Sequence, residues 1–182
     1  MEYFDVLDEQ GKVTGEKALR KEVHAKGLWH NTVHVYLFRK RNNVVEFLVH
    51  LRSKTVDQNP GIWDTRFGGH VKTGETIEET ALNEVKDEIG LSVKNDDLLF
   101  GGKTTYNGET NKEFITIYFY NFEEDIETLV FDGGEVQEVK WMSVNKIIEE
   151  SNKNPEFWGG KKEEGFQKVL MMLSKALEKI GG

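Results

Sequence analysis

The chain has 182 residues, a formal net charge of −8 and no cysteine. This length suits a single domain with a sizeable core, and the lack of cysteine excludes disulfides, thiolate nucleophiles and cysteine-ligated zinc. The acidic charge disfavours non-specific nucleic-acid binding, and no apolar run approaches the ~20 residues that span a bilayer. Because the N-terminus lacks the basic and apolar regions of a signal peptide, we expect a cytoplasmic protein without a membrane or nucleic-acid partner.

The first third of the chain predicts strands and one helix. Glu2–Leu7 is typical of a short strand and Glu16–His24 of a short helix. Thr32–Arg39 and Val44–Leu51 are rich in β-branched and aromatic residues and are separated by a polar turn, which predicts a β-hairpin. Ile62–Phe67 is predicted to form a brief strand that leads into a glycine-containing loop.

The second half predicts further strands followed by helices. Leu98–Tyr106 and Glu113–Phe122 are expected to pair, and the nearly continuous apolar run of the second indicates a strand covered on both faces. The remaining predicted elements are a turn at Asp132–Gly134, a strand through Val136, Val139 and Trp141, a helix from Ser143 to Glu150 and a helix over Lys161–Ile180. The last helix is expected to pack through an apolar stripe of Phe166, Val169, Leu170, Leu173 and Leu177. This order predicts an α/β fold with a mixed sheet covered on both faces.

The segment from Gly69 to Leu91 predicts a helix with a defined start and stop. Thr76 followed by Glu79 three residues later forms a capping box, and Gly90 supplies the C-terminal stop. The apolar residues between them fall on one arc at the helical period: Ala81, Leu82, Val85 and Ile89. That arc predicts a face that enters the core.

Three acids of this helix lie beside the apolar arc and predict a metal site. Glu84, Asp87 and Glu88 are spaced so that they share one helix face, where like charges repel. Oxygen ligands gathered in this way suit a hard cation such as Mg²⁺ or Mn²⁺, usually shared with substrate phosphates. The alternative is a solvated acidic face, but the spacing, the cap and the preceding glycine loop agree on a ligand site.

The segment resembles the Nudix box, whose pattern is G-x5-E-x7-R-E-U-x-E-E-x-G-U with U an aliphatic residue. The matching positions are Gly69, Glu75, Glu84, Val85, Glu88, Gly90 and Leu91. The resemblance implies the α/β/α sandwich of the Nudix fold, with its core at about residues 30–150 in a single domain of 182 residues, extended by an N-terminal strand and helix and a C-terminal helix. It also implies Mg²⁺ or Mn²⁺ as cofactor and hydrolysis of a diphosphate joined to another group, commonly a nucleoside.

Two positions depart from the family pattern. Asn83 stands where the family has an arginine that helps to hold the box glutamates, and it carries no charge. Asp87 replaces a glutamate and is one methylene shorter, so it would reach a metal through water. Glu84 and Glu88 therefore remain the strongest ligand candidates, and Glu75 matches the family glutamate that supports the helix.

The general base is expected outside the helix. In some relatives it comes from a loop before the strand that ends in tryptophan, and Glu135 precedes Trp141 in that way. Glu138 and Glu113 are rival candidates, and each of these acids is also typical of plain surface.

Substrate-binding candidates flank the glycine loop. Arg52 is placed to bind a phosphate through two hydrogen bonds, with Lys54 as a weaker candidate. Gly68 and Gly69 allow the backbone to approach a ligand, and His70 directly follows them. The predicted partner is a small nucleotide-derived diphosphate, and the terminal segments offer surfaces for a homodimer.

Residues before and after the hairpin also resemble the type I isopentenyl diphosphate isomerase branch of the superfamily. The similar positions are His24, Trp29-His30, Arg52-Ser53-Lys54 and Trp63-Asp64. That isomerase uses a cysteine close to a histidine, whereas this chain has Gly68 and His70 there and no cysteine. The resemblance therefore favours a hydrolase related to the isomerases, with a weakly catalytic nucleotide-binding module as the other alternative.

Overall fold

The computed structural model describes residues 1–56, 59–131, 134–159 and 163–179. The strands are β1 Tyr3–Leu7, β2 Val13–Leu19, β3 Trp29–Arg41, β4 Val44–Arg52, β5 Trp63–Asp64, β6 Leu99–Asn107, β7 Lys112–Asn121 and β8 Val136–Ser143. The helices are α1 Arg20–Lys26, α2 Ile77–Ile89, α3 Val144–Lys153 and α4 Glu163–Glu178. The strands form one mixed sheet with eight members.

The long strand β3 organises this sheet. It pairs in parallel with β7 from Trp29 to Phe38, and its end pairs with β4 in the predicted hairpin. The other contacts are antiparallel: β7 with β6, β4 with β5 and β8, β1 with β2, and β1 with β3. The predicted hairpin and the predicted pairing of the two later strands are both confirmed.

Alternate residues of β3 supply two cores, one on each face of the sheet, because side chains alternate along a strand. One core combines Val33, Val35 and Leu37 with the apolar arc of α2. The other combines Tyr36 and Phe38 with side chains of α3 and α4. The predicted α/β fold with a sheet covered on both faces is therefore confirmed.

The predicted helix over Glu16–His24 is wrong in its first half. Residues up to Leu19 form β2, whose Ala18 pairs with Phe4 of β1, and the helix begins only at Arg20. Pairing with a neighbouring strand outweighs the weak local helix preference of this segment. The predicted strand Ile62–Phe67 shrinks to Trp63–Asp64, and Phe67 instead forms an isolated bridge with Val35.

The later elements follow the prediction with smaller differences. Ser143 caps α3 by accepting a hydrogen bond from the Lys146 amide. On α4, Leu177 is 40% exposed and Ala176 is buried instead, because the packed arc passes through residues 169, 173 and 176. Asp132 and Gly133 of the predicted turn, and Lys161, Lys162 and Ile180 of the predicted last helix, lie outside the described residues. Within the described residues, no helix is long and apolar enough to cross a membrane.

Candidate functional site

The glycine loop between β5 and α2 is fastened along β3. The Val35 amide donates to the Phe67 carbonyl at 2.7 Å, and the Val33 amide donates to the Gly69 carbonyl at 2.9 Å. Gly68 lies between these bonds with φ +153°, and an added Cβ would overlap the Val33 carbonyl oxygen. The close approach of loop and strand therefore requires glycine at this position.

Helix α2 begins and ends at the predicted capping residues. Thr76 and Glu79 form the capping box, and Gly90 ends the helix in the left-handed conformation at φ +70°. Glu75 accepts a hydrogen bond from the Thr80 hydroxyl at 3.1 Å, so it supports the first turn of the helix. With its apolar arc buried, α2 directs the neighbouring acidic face into a cleft of about 900 Å³.

Glu88 lies at the base of this cleft, close to the glycine loop. Its Oε1 accepts a hydrogen bond from the Gly68 amide at 3.1 Å. Its buried Oε2 has no hydrogen-bond partner among the described residues. Burial raises the pKa of Glu88 well above its ordinary value, and repulsion from Glu84 adds to the effect. A buried carboxylate oxygen without a partner is costly, and a bound cation would remove that cost.

Glu84 and Asp87 line the same cleft one turn from Glu88 and beside it. Glu84 lies so close to the loop that a Cβ added to Gly69 would approach its Oε1 to 2.5 Å. Burial, followed by repulsion from Glu135, raises the pKa of Glu84 to about 7. Asp87 is exposed at the cleft mouth, which agrees with a weaker role than that of the two glutamates.

Glu135 reaches the cleft from the segment before β8. Its carbonyl accepts a hydrogen bond from the Ser53 amide at 2.8 Å, which ties this segment to the end of β4. Its charge raises the pKa of both Glu84 and Glu88, and all three residues line the same cleft. Of the two rival candidates for the general base, Glu138 does not line the cleft. Glu113 does line it, close to His24.

Most of the other predicted substrate-binding residues line the cleft, but Lys54 does not. Arg52, Gly68, Gly69 and His70 line the cleft, and the Arg52 charge opposes the rise in the pKa of Glu88. Lys54 is exposed and does not line the cleft. Asn83 is exposed and carries no charge, and the cations that act on the box glutamates come from other segments: Arg52 on Glu88 and Lys72 on Glu84.

Three histidines converge at the far end of the cleft from three separate elements. His24 of α1, His30 of β3 and His70 of the loop each place a ring nitrogen within 4.8 Å of the others. The Nε2 atoms of His24 and His70 are 3.1 Å apart. His30 donates from Nδ1 to the Leu28 carbonyl at 2.9 Å, which leaves a lone pair on its buried Nε2, an atom without a partner among the described residues.

This histidine cluster has the properties of a transition-metal ligand set. Burial lowers the pKa of all three rings, that of His70 to about 3, so the imidazoles are neutral and their lone pairs are available. The sequence indicates His70 only as a substrate-binding candidate and does not predict the cluster. No spacing signal joins His24 and His30 to a residue forty positions later in the chain; β3 and the loop bring them together.

The residues of α2 fit a divalent cation on the chemistry of their donors. Glu84 and Glu88 supply carboxylate oxygens from one helix face, and one of those oxygens is buried and unsatisfied. Hard cations such as Mg²⁺ and Mn²⁺ take such oxygens and accept further ligands from substrate phosphates. The histidine cluster offers nitrogen ligands instead and so favours a softer ion.

The sequence matches the NUDIX domain family over residues 28–161. It is 33% identical over 139 residues to an uncharacterised Nudix hydrolase of Clostridium acetobutylicum, with 74% of this chain and 66% of that protein covered. It is 32% identical over 149 residues to Nudix hydrolase 3 of Arabidopsis thaliana, where it covers 78% of this chain and 19% of that protein. The chain thus spans less than two thirds of the length of these two relatives.

A further relative and one structure extend the likeness to nearly the whole chain. An isopentenyl-diphosphate Delta-isomerase of Aliivibrio fischeri is 26% identical over 194 residues, covering 96% of this chain and 98% of the isomerase. The crystal structure of DR0079 from Deinococcus radiodurans has a TM-score of 0.69 at 18% identity, covering 94% of this chain and 99% of that chain. The NUDIX domain of Shewanella oneidensis NrtR, complexed with ADP ribose, has a TM-score of 0.58 at 14% identity and covers 81% of this chain and 87% of that chain. Together with the box residues on α2, the family match shows that the chain belongs to the Nudix family.

Proposed function

We propose that the protein is a metal-dependent hydrolase that cleaves the diphosphate linkage of a nucleoside diphosphate derivative. The observation that carries this proposal is the meeting of Glu84 and Glu88 with Glu135 in one cleft beside a glycine loop. Mg²⁺ or Mn²⁺ held there would neutralise the diphosphate oxygens and lower the pKa of a bound water. The Nudix domain bound to ADP ribose supports a nucleotide as the substrate class.

Seven residues of the cleft have a proposed part in the reaction: Glu84, Asp87, Glu88, Gly68, Gly69, Arg52 and His70, together with Glu135 as the base. Glu84 and Glu88 hold the cation, with Asp87 at the cleft mouth contributing through water. Gly68 and Gly69 let the diphosphate approach the backbone, and Arg52 and His70 flank it. Water adds to one phosphorus, the bridging P–O bond breaks, and the proton passes to the Glu135 carboxylate.

A substrate panel tests this proposal. Nucleoside diphosphate sugars, ADP-ribose and dinucleoside polyphosphates are incubated with Mg²⁺ or Mn²⁺, and phosphorus NMR identifies the products. We expect nucleoside monophosphate or phosphate release that stops when EDTA removes the metal. Absence of release from every compound with both metals would contradict the proposal.

Glu135→Gln is expected to lower kcat roughly 10²- to 10³-fold, with a smaller change in metal affinity, because a positioned base contributes to the chemical step. Glu138→Gln is the matched control, since Glu138 lies three residues later, on β8, and does not line the cleft. Steady-state kinetics of both variants on the best panel substrate make the comparison. Equal rates for the two variants would remove Glu135 from the mechanism.

Mg²⁺ is expected to stabilise the protein more at about pH 8 than at about pH 6. The folded-state pKa of Glu84, about 7, lies above its ordinary value of 4.5, so the metal-free protein loses stability as pH rises through about 7. Below this pH, protons compete with the metal for the Glu84 carboxylate. Above it, the carboxylate is ionised and the metal binds without displacing a proton. Thermal unfolding with Mg²⁺ and with EDTA at both pH values measures the difference. An increment that is equal at the two pH values would show that Glu84 does not bind the metal.

A nucleotide-binding module without efficient turnover is the second candidate. The exposed Asn83 favours it, because an uncharged side chain stands at the position of the family arginine that holds the box glutamates. Asn83→Arg distinguishes the two readings. A weak hydrolase should hydrolyse nucleotide faster with the added guanidinium. A binding module should bind nucleotide tightly but hydrolyse it neither with Asn83 nor with arginine at this position.

An isomerase activity has one observation in its favour, the histidine cluster in a chain similar to an isopentenyl-diphosphate isomerase along its whole length. Against it stands Gly68 at the position of the isomerase cysteine, in a backbone conformation where a side chain would overlap Val33. Incubation with isopentenyl diphosphate and either Mg²⁺ or Mn²⁺ decides the matter. We expect no allylic isomer, and its formation would overturn the assignment as a hydrolase.

A further inference from the structure

Arg66 is a partly buried cation in the cleft that the proposed chemistry does not use. It lies two residues after Asp64, the last residue of β5, and its Nε donates to Oδ1 of Asp64 at 2.8 Å while its Nη2 donates to Oδ2 at 2.6 Å. The two side chains are 23% and 9% exposed, respectively. Their spacing of two residues places both on the same side of the extended chain.

Asp64 fixes the orientation of this guanidinium. Its Oδ1 also accepts hydrogen bonds from the Thr65 amide at 2.7 Å and from the Arg66 amide at 3.0 Å. The Arg66 charge and these hydrogen bonds lower the pKa of Asp64 to about 2 despite burial, so the pair stays ionised at every working pH. A buried ion pair adds little net stability, which leaves positioning as the reason for this arrangement.

A guanidinium has two pairs of parallel N–H donors, and Asp64 occupies only one of them. Arginine carries five N–H donors in a planar fork, and the bonds to Asp64 use the Nε edge and one hydrogen of Nη2. Within the described parts of the chain, the Nη1 group of Arg66 has no hydrogen-bond partner, and the residue lines the cleft. The second pair of donors is therefore available to a ligand in the cleft that Arg66 lines.

Other cations of the cleft are placed differently. Arg20 and Lys72 both contact Glu2, at 3.0 and 3.4 Å, near the histidine cluster. Arg66 lies two residues before Gly68, whose amide holds Glu88, and so belongs to the segment that positions the proposed metal ligands. In the proposed function Arg52 already flanks the diphosphate, which leaves the Arg66 fork for a second anionic group on the same substrate.

We propose that Arg66 is a specificity-determining residue whose free donor pair binds a second anionic group of the substrate, a carboxylate or a phosphate monoester, beyond the diphosphate. This inference rests on the proposed function, since it assumes that a diphosphate occupies the acidic part of the cleft. Both groups present two oxygens at the spacing that the fork requires. The substrate class is thus a nucleoside diphosphate derivative that carries an additional acid.

Two pairs of nucleotides separate the possible sources of this group. UDP-glucuronate and UDP-glucose differ by a carboxylate, and NADP⁺ and NAD⁺ differ by a phosphate. Calorimetry in Ca²⁺ measures the binding of each compound, and incubation in Mg²⁺ measures its hydrolysis. In one of the two pairs, we expect wild-type protein to bind the member with the additional acid roughly 10-fold or more tightly than the member without it. This is the scale of charge-assisted hydrogen bonds.

Arg66→Gln is expected to weaken binding of the preferred nucleotide with the additional acid by roughly 10- to 100-fold. Binding of the paired nucleotide without that acid should weaken by less than about 3-fold. Arg66→Lys keeps the charge beside Asp64 but has no second fork, so it should also lose the preference, and it serves if the glutamine variant does not fold. Arg39→Gln is the matched control, because Arg39 also pairs with a carboxylate, Glu46 at 2.7 Å, outside the cleft.

The outcomes distinguish this inference from the proposed function. No preference within either pair in the wild-type protein, or equal losses for both members in the Arg66 variants, would overturn the role of Arg66. Hydrolysis without a preference would leave the proposed function standing and remove Arg66. A preference that is lost in the Arg66 variants, without hydrolysis of any compound, would support Arg66 and contradict the proposed function.

Discussion

Glu88→Gln is expected to reduce metal-dependent hydrolysis by roughly 10³-fold or more, the scale of losing an essential electrostatic group. Glutamine keeps the shape of the side chain and can still accept from the Gly68 amide, but it offers the cation no negative charge. Steady-state kinetics and Mg²⁺ titration calorimetry on the same preparation measure both effects. Metal affinity should fall together with kcat/KM.

The same substitution should leave the fold intact. Burial raises the pKa of Glu88, so in the metal-free protein its ionisation costs stability as pH rises through the raised value, and glutamine removes this cost. The metal-free variant should therefore be at least as stable as wild type at about pH 8. Glu78→Gln on the same helix, outside the cleft, is the control. Unchanged turnover in Glu88→Gln would show that the cation binds elsewhere, for which the histidine cluster is the other candidate.

Gly68→Ala is expected to destabilise the protein by roughly 3 kcal/mol or more and to abolish turnover in whatever fraction still folds. The added methyl group would overlap the Val33 carbonyl oxygen on the central strand, where the backbone has no room to shift. Any relief moves the Gly68 amide away from Glu88 and so disturbs the proposed metal site. Chemical denaturation curves and residual activity report the two effects separately.

Gly74→Ala is the control for the backbone conformation alone. Gly74 has φ +90°, and nothing lies within 4 Å of an added Cβ. It should cost about 1 kcal/mol, with activity retained. If the two alanine variants were equally stable, close packing of the loop on β3 would not be the reason for glycine at position 68.

The proposed metal helix is the part of the site that local sequence signals predict in full. The capping box, the apolar arc and the glycine stop all act within a few residues of one another, and the structure confirms each of them. The helix over Glu16–His24 is wrong for the opposite reason. Its first half pairs with β1, and such pairing depends on a partner strand that no short window contains.

The cations and imidazoles of the cleft lie beyond the reach of such signals. His24, His30 and His70 meet because β3 carries the loop on one side and α1 precedes it. Arg66 has an ordinary sequence environment, and only the two bonds to Asp64 show that one edge of its guanidinium is occupied and the other is not. Glu135 was one of three acids that the sequence left open, and its placement depends on the bond between its carbonyl and Ser53.

By itself, the sequence determined the family, the mixed sheet with helices on both faces, and the helix whose acids are the proposed metal ligands. Strand pairing and loop packing bring distant residues to that helix: Glu135 and the Arg66–Asp64 pair line the cleft, and the histidine cluster meets it through His70. The difference arises because the two kinds of interaction act over different separations along the chain. Helix caps and apolar periodicity act over one or two turns, whereas a cleft is assembled by strand pairing and burial between segments far apart in the chain.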